Sequence, residues 1–167
     1  AAEIVRDTQA SFGASRATLV RLRPSVLDAL GLTAALMELA GKAKRRTGTD
    51  CILHIEGRID RLDDIHAITI YRMVQEALTN AQRHGGADRV EVAVKHVLPR
   101  RGRRGQVRIK IDDNGTVRSG EGLSEGMGII GMRERVHALD GTFRLTHNPH
   151  DGVHIEATLP LPDAGKR

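Results

Sequence analysis

Three short stretches of the sequence carry side chains that could bind a cation, a nucleotide or a phosphate. In the first, Glu76, Asn80 and either Arg83 or His84 lie three or four residues apart within a helical pattern, and this spacing places them on one helix face. A carboxylate and an amide can bind a hard cation through oxygen, and the carboxylate could also act as a base. A basic group one turn on could meet a phosphate. For this helix alone, a solvated polar flank remains the simpler interpretation.

Of the other two stretches, one lies at the end of a strand pattern and the other lies directly before a helix pattern. The run IDDNG at 111–115 ends a strand pattern, and a buried Asp113 could accept a hydrogen bond from an exocyclic amine. An Asx turn that ends a hairpin strand is the alternative. Residues 126–131 match G-x-G-x-x-G before a helix, where glycines let the backbone approach a phosphate. A Rossmann site is disfavoured, because a glycine-rich segment precedes this run instead of the first strand of a βαβ unit.

Composition and missing motifs narrow the classes of protein further. The 167 residues, 40% hydrophobic and 28% charged, suit one globular domain with a helical extension. Cys51 is the single cysteine, which excludes an internal disulfide and a cysteine zinc cluster. No H-E-x-x-H, G-x-S-x-G or P-loop motif occurs. There is no apolar run that could span a membrane, and the start shows neither an initiator Met nor a signal core, which indicates a piece of a longer protein.

The net charge of +5 owes much to a run of arginines at 100–104. Such a run is most often a solvated loop. Aromatic residues make up only 2% of the chain, which argues against a binder of single-stranded nucleic acid, because such proteins need aromatic side chains for base stacking. Duplex binding through this run stays open as a distant alternative, because it needs no stacking.

Hydrophobic periodicity predicts the elements that must position these side chains. In the second helix, Leu27, Leu30, Ala34 and Met37 recur at spacings of three and four. The clearest helix follows Asp63-Asp64, a candidate N-cap. The second and third strand patterns are joined by a connection too short for a parallel crossover, so they are predicted to form a hairpin. The predicted fold is therefore an α/β sandwich with a mixed or antiparallel sheet. The predicted helices are 4–23, 25–46, 65–84 and 129–139, and the predicted strands are 51–56, 90–95, 107–111, 142–147 and 153–159.

Taken in order, the three stretches resemble the N box and the first and second glycine boxes of the GHKL ATPase superfamily. The run Gly-Met-Arg-Glu-Arg-Val at 131–136 is typical of one branch, the bacterial sensor histidine kinases that work with LuxR/NarL-type response regulators. Residues 22–32 resemble the segment between dimerisation helix and catalytic domain in that branch, and 152–160 resemble its last strand. The resemblance covers about 22–160 and implies a Bergerat-type fold, a two-layer sandwich of a mixed, mostly antiparallel sheet and helices with an N-terminal helical extension.

The resemblance also implies roles for individual residues. Asn80 would ligate a Mg²⁺ that bridges the ATP phosphates. Glu76 would polarise or deprotonate the attacking group, or help to order the metal shell, and Asp113 would accept a hydrogen bond from the adenine amine. Residues 116–131 would form a short ATP lid. The residues expected to bind ATP are Asn80, Arg83, His84, Asp113, Gly115, Gly126, Gly128, Ile129, Gly131 and Met132.

Three departures from the family pattern matter. Val117 stands where the first glycine box usually has a second glycine, and a β-branched residue tolerates positive φ badly. Val153 stands where the last strand usually has threonine, whose hydroxyl supports the adenine-binding network. No histidine precedes His54, so the phosphoacceptor histidine is absent and this chain alone is not expected to autophosphorylate.

The leading hypothesis is the ATP-binding catalytic domain of a sensor histidine kinase. Residues 1–23 would end the dimerisation helix, 24–162 would form the domain, and 163–167 would be a frayed tail. The expected partners are ATP, a second copy in the intact protein and a LuxR/NarL-type response regulator, with no nucleic acid and no membrane contact. The expected location is cytoplasmic, and the longer protein could be anchored in the inner membrane. The alternatives are a binding or dimerisation module with a decayed site and another GHKL ATPase, such as an anti-sigma serine kinase.

Overall fold

The structure is a computed structural model that describes residues 24–101, 103–116, 126–148 and 152–162. The predicted helix at 4–23, Val117, most of the predicted lid and the predicted frayed tail lie outside these ranges.

The described residues form three α-helices and five strands. The sheet order is β1-β2-β3-β5-β4, and β1 runs parallel to β2 while every other neighbouring pair is antiparallel. The predicted mixed, mostly antiparallel sheet is therefore confirmed. The elements are α1 (Ser25–Thr47), β1 (Asp50–Glu56), a 3₁₀ turn (Ile59–Arg61), α2 (Asp64–Asn80), a π-helical turn (Ala81–Gly85), β2 (Arg89–Val97), β3 (Gln106–Asp113), α3 (Met127–His137), β4 (Thr142–Asn148) and β5 (Gly152–Pro160).

The core lies between the helices and one face of the sheet. Alternate residues of β2, β3 and β5 point to that face, as the period of two predicts. The intervening residues of β3, such as Arg108 and Lys110, are exposed on the other face. The buried sheet residues are Val90, Val92, Val94, Val107, Ile109, Ile111, Ile155, Ala157 and Leu159.

The buried face of α1 differs from the predicted one. Leu30 and Met37 are 56% and 59% exposed, whereas Leu32, Leu36 and Leu39 are buried. The reason is a break at Gly31, which has φ 78° and ψ 173° inside the helix. A residue outside the helical region changes the direction of the chain, so the two parts of α1 do not share one continuous apolar face. A periodic pattern that continues through Gly31 therefore does not identify the buried face.

Helix α2 begins and ends close to the predicted positions. Asp63 is the N-cap, and its side chain accepts a hydrogen bond from the amide of His66. The α-helix ends at Asn80, and the chain then forms one π-helical turn that Gly86 terminates in the left-handed region. The predicted apolar stripe is confirmed, since all its members are buried: Ile70, Met73, Val74, Ala77, Leu78 and Ala81.

The hairpin of β2 and β3 carries the arginine run at its tip. Arg100, Arg101, Arg103 and Arg104 are all exposed, in agreement with the prediction of a solvated loop. This tip lies at the end of the hairpin opposite Asp113, which pairs with Val90. Within the described residues, no helix combines the length and the apolar character needed to cross a membrane.

Candidate functional site

The predicted site residues meet at one edge of the sheet. Val90, at the start of β2, pairs with Asp113, at the end of β3. Only residues 86–88 separate the π-helical turn from β2, so the end of α2 lies at the same edge as Asp113. Neighbouring antiparallel strands and a short connection therefore bring together two stretches that are more than thirty residues apart in the sequence.

Asp113 is half-buried and held by main-chain donors. Its Oδ1 accepts hydrogen bonds from the amides of Gly115, at 2.9 Å, and Val153, at 3.3 Å. In the described part of the chain, no donor is recorded to its second oxygen, Oδ2. A carboxylate anchored through one oxygen can present the other to a ligand amine, because an ionised carboxyl group is an acceptor at both oxygens.

Gly152 allows β5 to approach Asp113 this closely. Its φ is +81°, and a Cβ at this position would lie 2.6 Å from the Oδ1 of Asp113 and would overlap its main-chain oxygen. The next residue, Val153, lacks the threonine hydroxyl that the family pattern has. Its amide nevertheless donates to Asp113, so the substitution removes a hydroxyl and leaves this main-chain hydrogen bond in place.

Asn114 braces the turn after Asp113, a role that sequence reasoning missed. Its Oδ1 accepts from the amide of Arg89 at 3.0 Å, and its Nδ2 donates to Oδ1 of Asp88 at 2.6 Å. Its own amide donates to the carbonyl of Arg89. The turn is thus tied to the start of β2. The D-N-G run was a signal for a turn residue, but the partner strand could be known only from the fold.

Glu76 and Asn80 lie on the same flank of α2, and both are half-buried, as their position beside the apolar stripe predicts. Arg83 is exposed in the π-helical turn, and the backbone of His84, but not its side chain, is described. The π-helical turn changes the angular spacing after Asn80, because it adds a residue to the turn. The shared face predicted for Glu76 and Asn80 is therefore not continued in the same register to Arg83.

The second glycine run forms the start of α3. Gly126 is the N-cap, with φ −57° and ψ 156°. Gly128 lies against Glu76, since a Cβ there would lie 2.5 Å from Cδ of Glu76. The predicted ATP residues Ile129 and Met132 are buried in the core. The start of α3 therefore packs against the part of α2 that carries Glu76.

Other chemistry is limited by what surrounds the site. Burial raises the pKa of the Cys51 thiol to about 11, so the thiol stays protonated near neutral pH and is a poor nucleophile. Within the described residues, no group of three or more His, Cys, Asp or Glu side chains could hold a metal ion. A divalent cation at this edge would have to take most of its ligands from a bound phosphate or from water.

Comparison with known families gives a match over most of the described domain. Residues 65–163 match the family described as histidine kinase-, DNA gyrase B- and HSP90-like ATPase. Sensor histidine kinase MctS of Rhizobium johnstonii is 33% identical over 143 residues, which is 83% of this chain and 30% of MctS. The signal transduction histidine-protein kinase/phosphatase DegS of Brevibacillus brevis is 29% identical over 160 residues, 95% of this chain and 40% of DegS. The chain thus spans 30–40% of the length of these relatives.

Solved structures show the same fold. The histidine kinase domain of the Erythrobacter litoralis blue-light activated kinase EL346 superposes with a TM-score of 0.60 at 20% identity, over 90% of this chain and 74% of that one. The ATP binding domain of PrrB from Mycobacterium tuberculosis superposes with a TM-score of 0.54 at 26% identity, over 78% of this chain and 94% of that one.

Proposed function

Because this chain belongs to the family of histidine kinase-, DNA gyrase B- and HSP90-like ATPases, we propose that it is the domain of a sensor histidine kinase that binds Mg-ATP and supplies the γ-phosphoryl group. The observation that carries the proposal is the anchored carboxylate of Asp113 at the edge where α2, β3 and α3 meet. The names of the relatives, which are histidine kinases, support the same assignment.

In the proposed complex, Asp113 binds the adenine ring through a hydrogen bond. Oδ1 is held by the amides of Gly115 and Val153, which leaves Oδ2 to accept from the exocyclic amine. The amide donors also keep the carboxylate in one orientation, so binding requires little reordering of the site. Gly152 provides the close packing that this arrangement needs.

The phosphates would lie between the end of α2 and the start of α3. The amide oxygen of Asn80 would hold Mg²⁺ together with phosphate oxygens and water, and the ion would supply positive charge that offsets the charge of the phosphates. Arg83 or His84 lies near the phosphates, and the free amides at the N-terminus of α3 face them together with Gly126, Gly128 and Gly131. Residues 116–131 would act as the lid, and 117–125 of this segment lie outside the described residues. A cation held mainly by phosphate and water is consistent with the described residues, among which no group of three or more His, Cys, Asp or Glu side chains could hold a metal ion.

In the intact kinase, a histidine on an upstream helix of the dimer attacks the γ-phosphorus. The new N–P bond forms as the bond to the β–γ bridging oxygen breaks, and ADP leaves. Glu76 polarises the attacking imidazole or takes its proton. Phosphoryl transfer needs positioning and charge neutralisation more than covalent protein chemistry. The phosphoryl group then passes to an aspartate of a response regulator. The run at 131–136 favours a regulator of the LuxR/NarL type, and the transfer would take place in the cytoplasm.

The test is calorimetric titration of the chain with a non-hydrolysable ATP analogue, with and without Mg²⁺. We expect binding that Mg²⁺ strengthens, and we expect Asp113→Asn to weaken it about 10- to 100-fold, the loss of one charge-assisted hydrogen bond. An amide NH₂ at the Oδ2 position would face the adenine amine, donor against donor. Asn80→Ala should remove most of the Mg²⁺ dependence.

The matched control is Asp112→Asn. Asp112 is the neighbouring carboxylate, but it accepts a hydrogen bond from Nδ1 of His154 at 2.8 Å and lies on the opposite face of β3. This variant should bind the nucleotide as the unmodified chain does. Equal weakening by both substitutions would contradict the assignment of Asp113, and a chain that binds no nucleotide at millimolar concentration would contradict the proposed function.

The second candidate, a module with a decayed site, rests on Val117 and Val153. The hydrogen bond from the amide of Val153 to Asp113 speaks against a decayed site at this position, and Val117 lies outside the described residues. Mg-ATP binding without transfer to a supplied phosphoacceptor domain would favour this candidate.

A further inference from the structure

One face of α3 carries two glycines that make room for side chains of opposite charge. A Cβ at Gly128 would overlap the carboxylate of Glu76, and a Cβ at Gly131 would lie 3.2 Å from Nη1 of Arg135. Positions three apart lie on the same face of a helix, and the axial rise between them is about 4.5 Å. The Glu76 carboxylate and the Arg135 guanidinium therefore lie on the same face of α3, near enough for the negative charge of Glu76 to raise the pKa of Arg135.

The environment of Arg135 is unusual for a surface arginine. The residue is only partly exposed, and its Nε is buried with no hydrogen-bond partner in the described part of the chain. Burial lowers the pKa of Arg135, the negative charge of Glu76 opposes this shift, and Arg72 adds to it. A partly desolvated guanidinium is stabilised most by a nearby carboxylate.

Glu76 lies near two arginines, Arg72 on its own helix and Arg135 on α3. It is half-buried on the flank of α2, four residues after Arg72, whose Nη1 donates to Oε1 of Gln75 at 2.7 Å. The Gly128 backbone limits the carboxylate on the side of α3. Gly128 and Arg135 belong to the same helix. The positive charge of Arg135 can therefore hold the Glu76 carboxylate in one position relative to α3.

We propose that Arg135 is a positioning residue that pairs with Glu76 across the α2–α3 interface and holds the Glu76 carboxylate in the orientation that phosphoryl transfer requires. This inference rests on the proposed function, in which Glu76 acts on the attacking group. Arg135 itself does not contact the substrate. It links the position of α3 to the orientation of the catalytic carboxylate.

The first experiment tests the pair without nucleotide. Urea unfolding is measured for the unmodified chain, for Arg135→Gln, for Glu76→Gln and for the double variant. We expect Arg135→Gln to lower the urea midpoint in the unmodified background and to have less than half that effect in the Glu76→Gln background. Equal effects in both backgrounds would show that the two side chains do not interact and would overturn the proposal.

The second experiment measures phosphoryl transfer in the intact kinase that carries this domain. Arg135→Gln should lower kcat about tenfold while KM for Mg-ATP stays nearly constant, because a misplaced carboxylate acts in the transition state and not in nucleotide binding. Arg135→Lys, which keeps the charge, should recover much of the rate. In the Glu76→Gln background, Arg135→Gln should add little further loss.

The matched control is Arg133→Gln. Arg133 is on the same helix and carries the same charge, but its guanidinium lies 5.7 Å from the ring centroid of Phe143. This variant should retain kcat. A rise in KM alone on Arg135→Gln would mean that Arg135 contacts the nucleotide and would overturn the positioning role. If the unmodified chain binds no nucleotide, the proposed function fails, and the unfolding cycle still decides whether the pair exists.

Discussion

At the scale of single residues, the site depends on groups that hold the Asp113 side chain and its turn in place. Asp113 was predicted from its type and its place before a turn, but its orientation comes from the amides of Gly115 and Val153. Asn114 fixes the turn to the start of β2, and Gly152 leaves the space that Asp113 occupies. These supporting contacts are spread over three separate parts of the chain, so no local pattern could have indicated them.

Gly152→Ala tests this support. The new Cβ would meet the main chain and Oδ1 of Asp113, so we expect weaker binding of Mg-ATP in addition to a loss of stability of about 1–2 kcal/mol from the positive φ. The measurements are urea unfolding and calorimetric titration with an ATP analogue.

The control for this prediction is Gly48→Ala. Gly48 has a φ of +76°, nearly that of Gly152, but open space surrounds its Cβ position. It ends α1 just before β1, the strand on the far side of β2 from Asp113. We expect a loss of stability of about 1–2 kcal/mol from the positive φ alone, smaller than that of Gly152→Ala because no overlap is added, with unchanged nucleotide affinity. Unchanged affinity in the Gly152→Ala variant as well would contradict the role of Gly152 at Asp113.

At the scale of elements, periodicity predicted the described helices and strands closely, but it failed to predict the buried face of α1. The helix contains a break that a residue from another element stabilises. Asp60, in the 3₁₀ turn, accepts hydrogen bonds from the amide and the hydroxyl of Thr33 at 2.8 and 2.6 Å. It therefore caps the second part of α1 from outside, 27 residues away along the chain. Because the capping side chain lies far away in the sequence, Gly31 is the only local signal of the break in α1.

Two glycines of α1 should respond in opposite ways to alanine. Gly31→Ala places a Cβ at φ +78° and 3.1 Å from Oδ1 of Asp60, and we expect a destabilisation of about 1–3 kcal/mol. Gly41 lies in the regular helix, where its Cβ would meet only the flexible end of Arg45. Gly41→Ala should therefore stabilise the protein by about 0.4–1 kcal/mol. Urea unfolding measures both, and a stabilising Gly31→Ala would show that the break is not part of the native fold.

At the scale of the whole molecule, the start of α2 is tied to the end of β5. His66 is 5% exposed, its Nδ1 lies 2.7 Å from Oδ1 of Asp63, and its Nε2 lies 3.0 Å from the carbonyl oxygen of Pro160. With an acceptor facing each nitrogen, the doubly protonated ring can donate at both ends. This contact joins the helix layer to the sheet 94 residues away in the sequence.

The stability of the whole molecule should depend on pH through this contact. The hydrogen bond from His66 lowers the pKa of Asp63 below 3.8, the usual value for an aspartate. A carboxyl group with a lowered folded pKa stabilises the protein above its unfolded pKa, and this contribution is lost as the pH falls through the folded value. Asp63→Ala should cost about 1 kcal/mol near neutral pH from the lost cap, and less below pH 3.8.

Asp63→Asn separates the cap from the charge. It keeps a side-chain oxygen at the N-cap but has no proton to gain. Its stability relative to the unmodified protein should improve as the pH falls below 3.8. Urea unfolding at several pH values measures the difference, and a difference that does not change with pH would contradict a charged Asp63 in this contact.

The sequence by itself determined the residue types of the site, the order of the helices and strands and the mixed sheet, because these depend on local periodicity and on connection length. It also determined the family, through the order of the three motifs. Only the tertiary structure decided that Val153 supports Asp113 through its amide, that Asp60 caps α1 across a break and that Arg135 comes within electrostatic reach of Glu76. These features depend on which residues, distant in the sequence, come into contact after folding. Such contacts leave no periodic pattern in the sequence, so they could not be predicted from it.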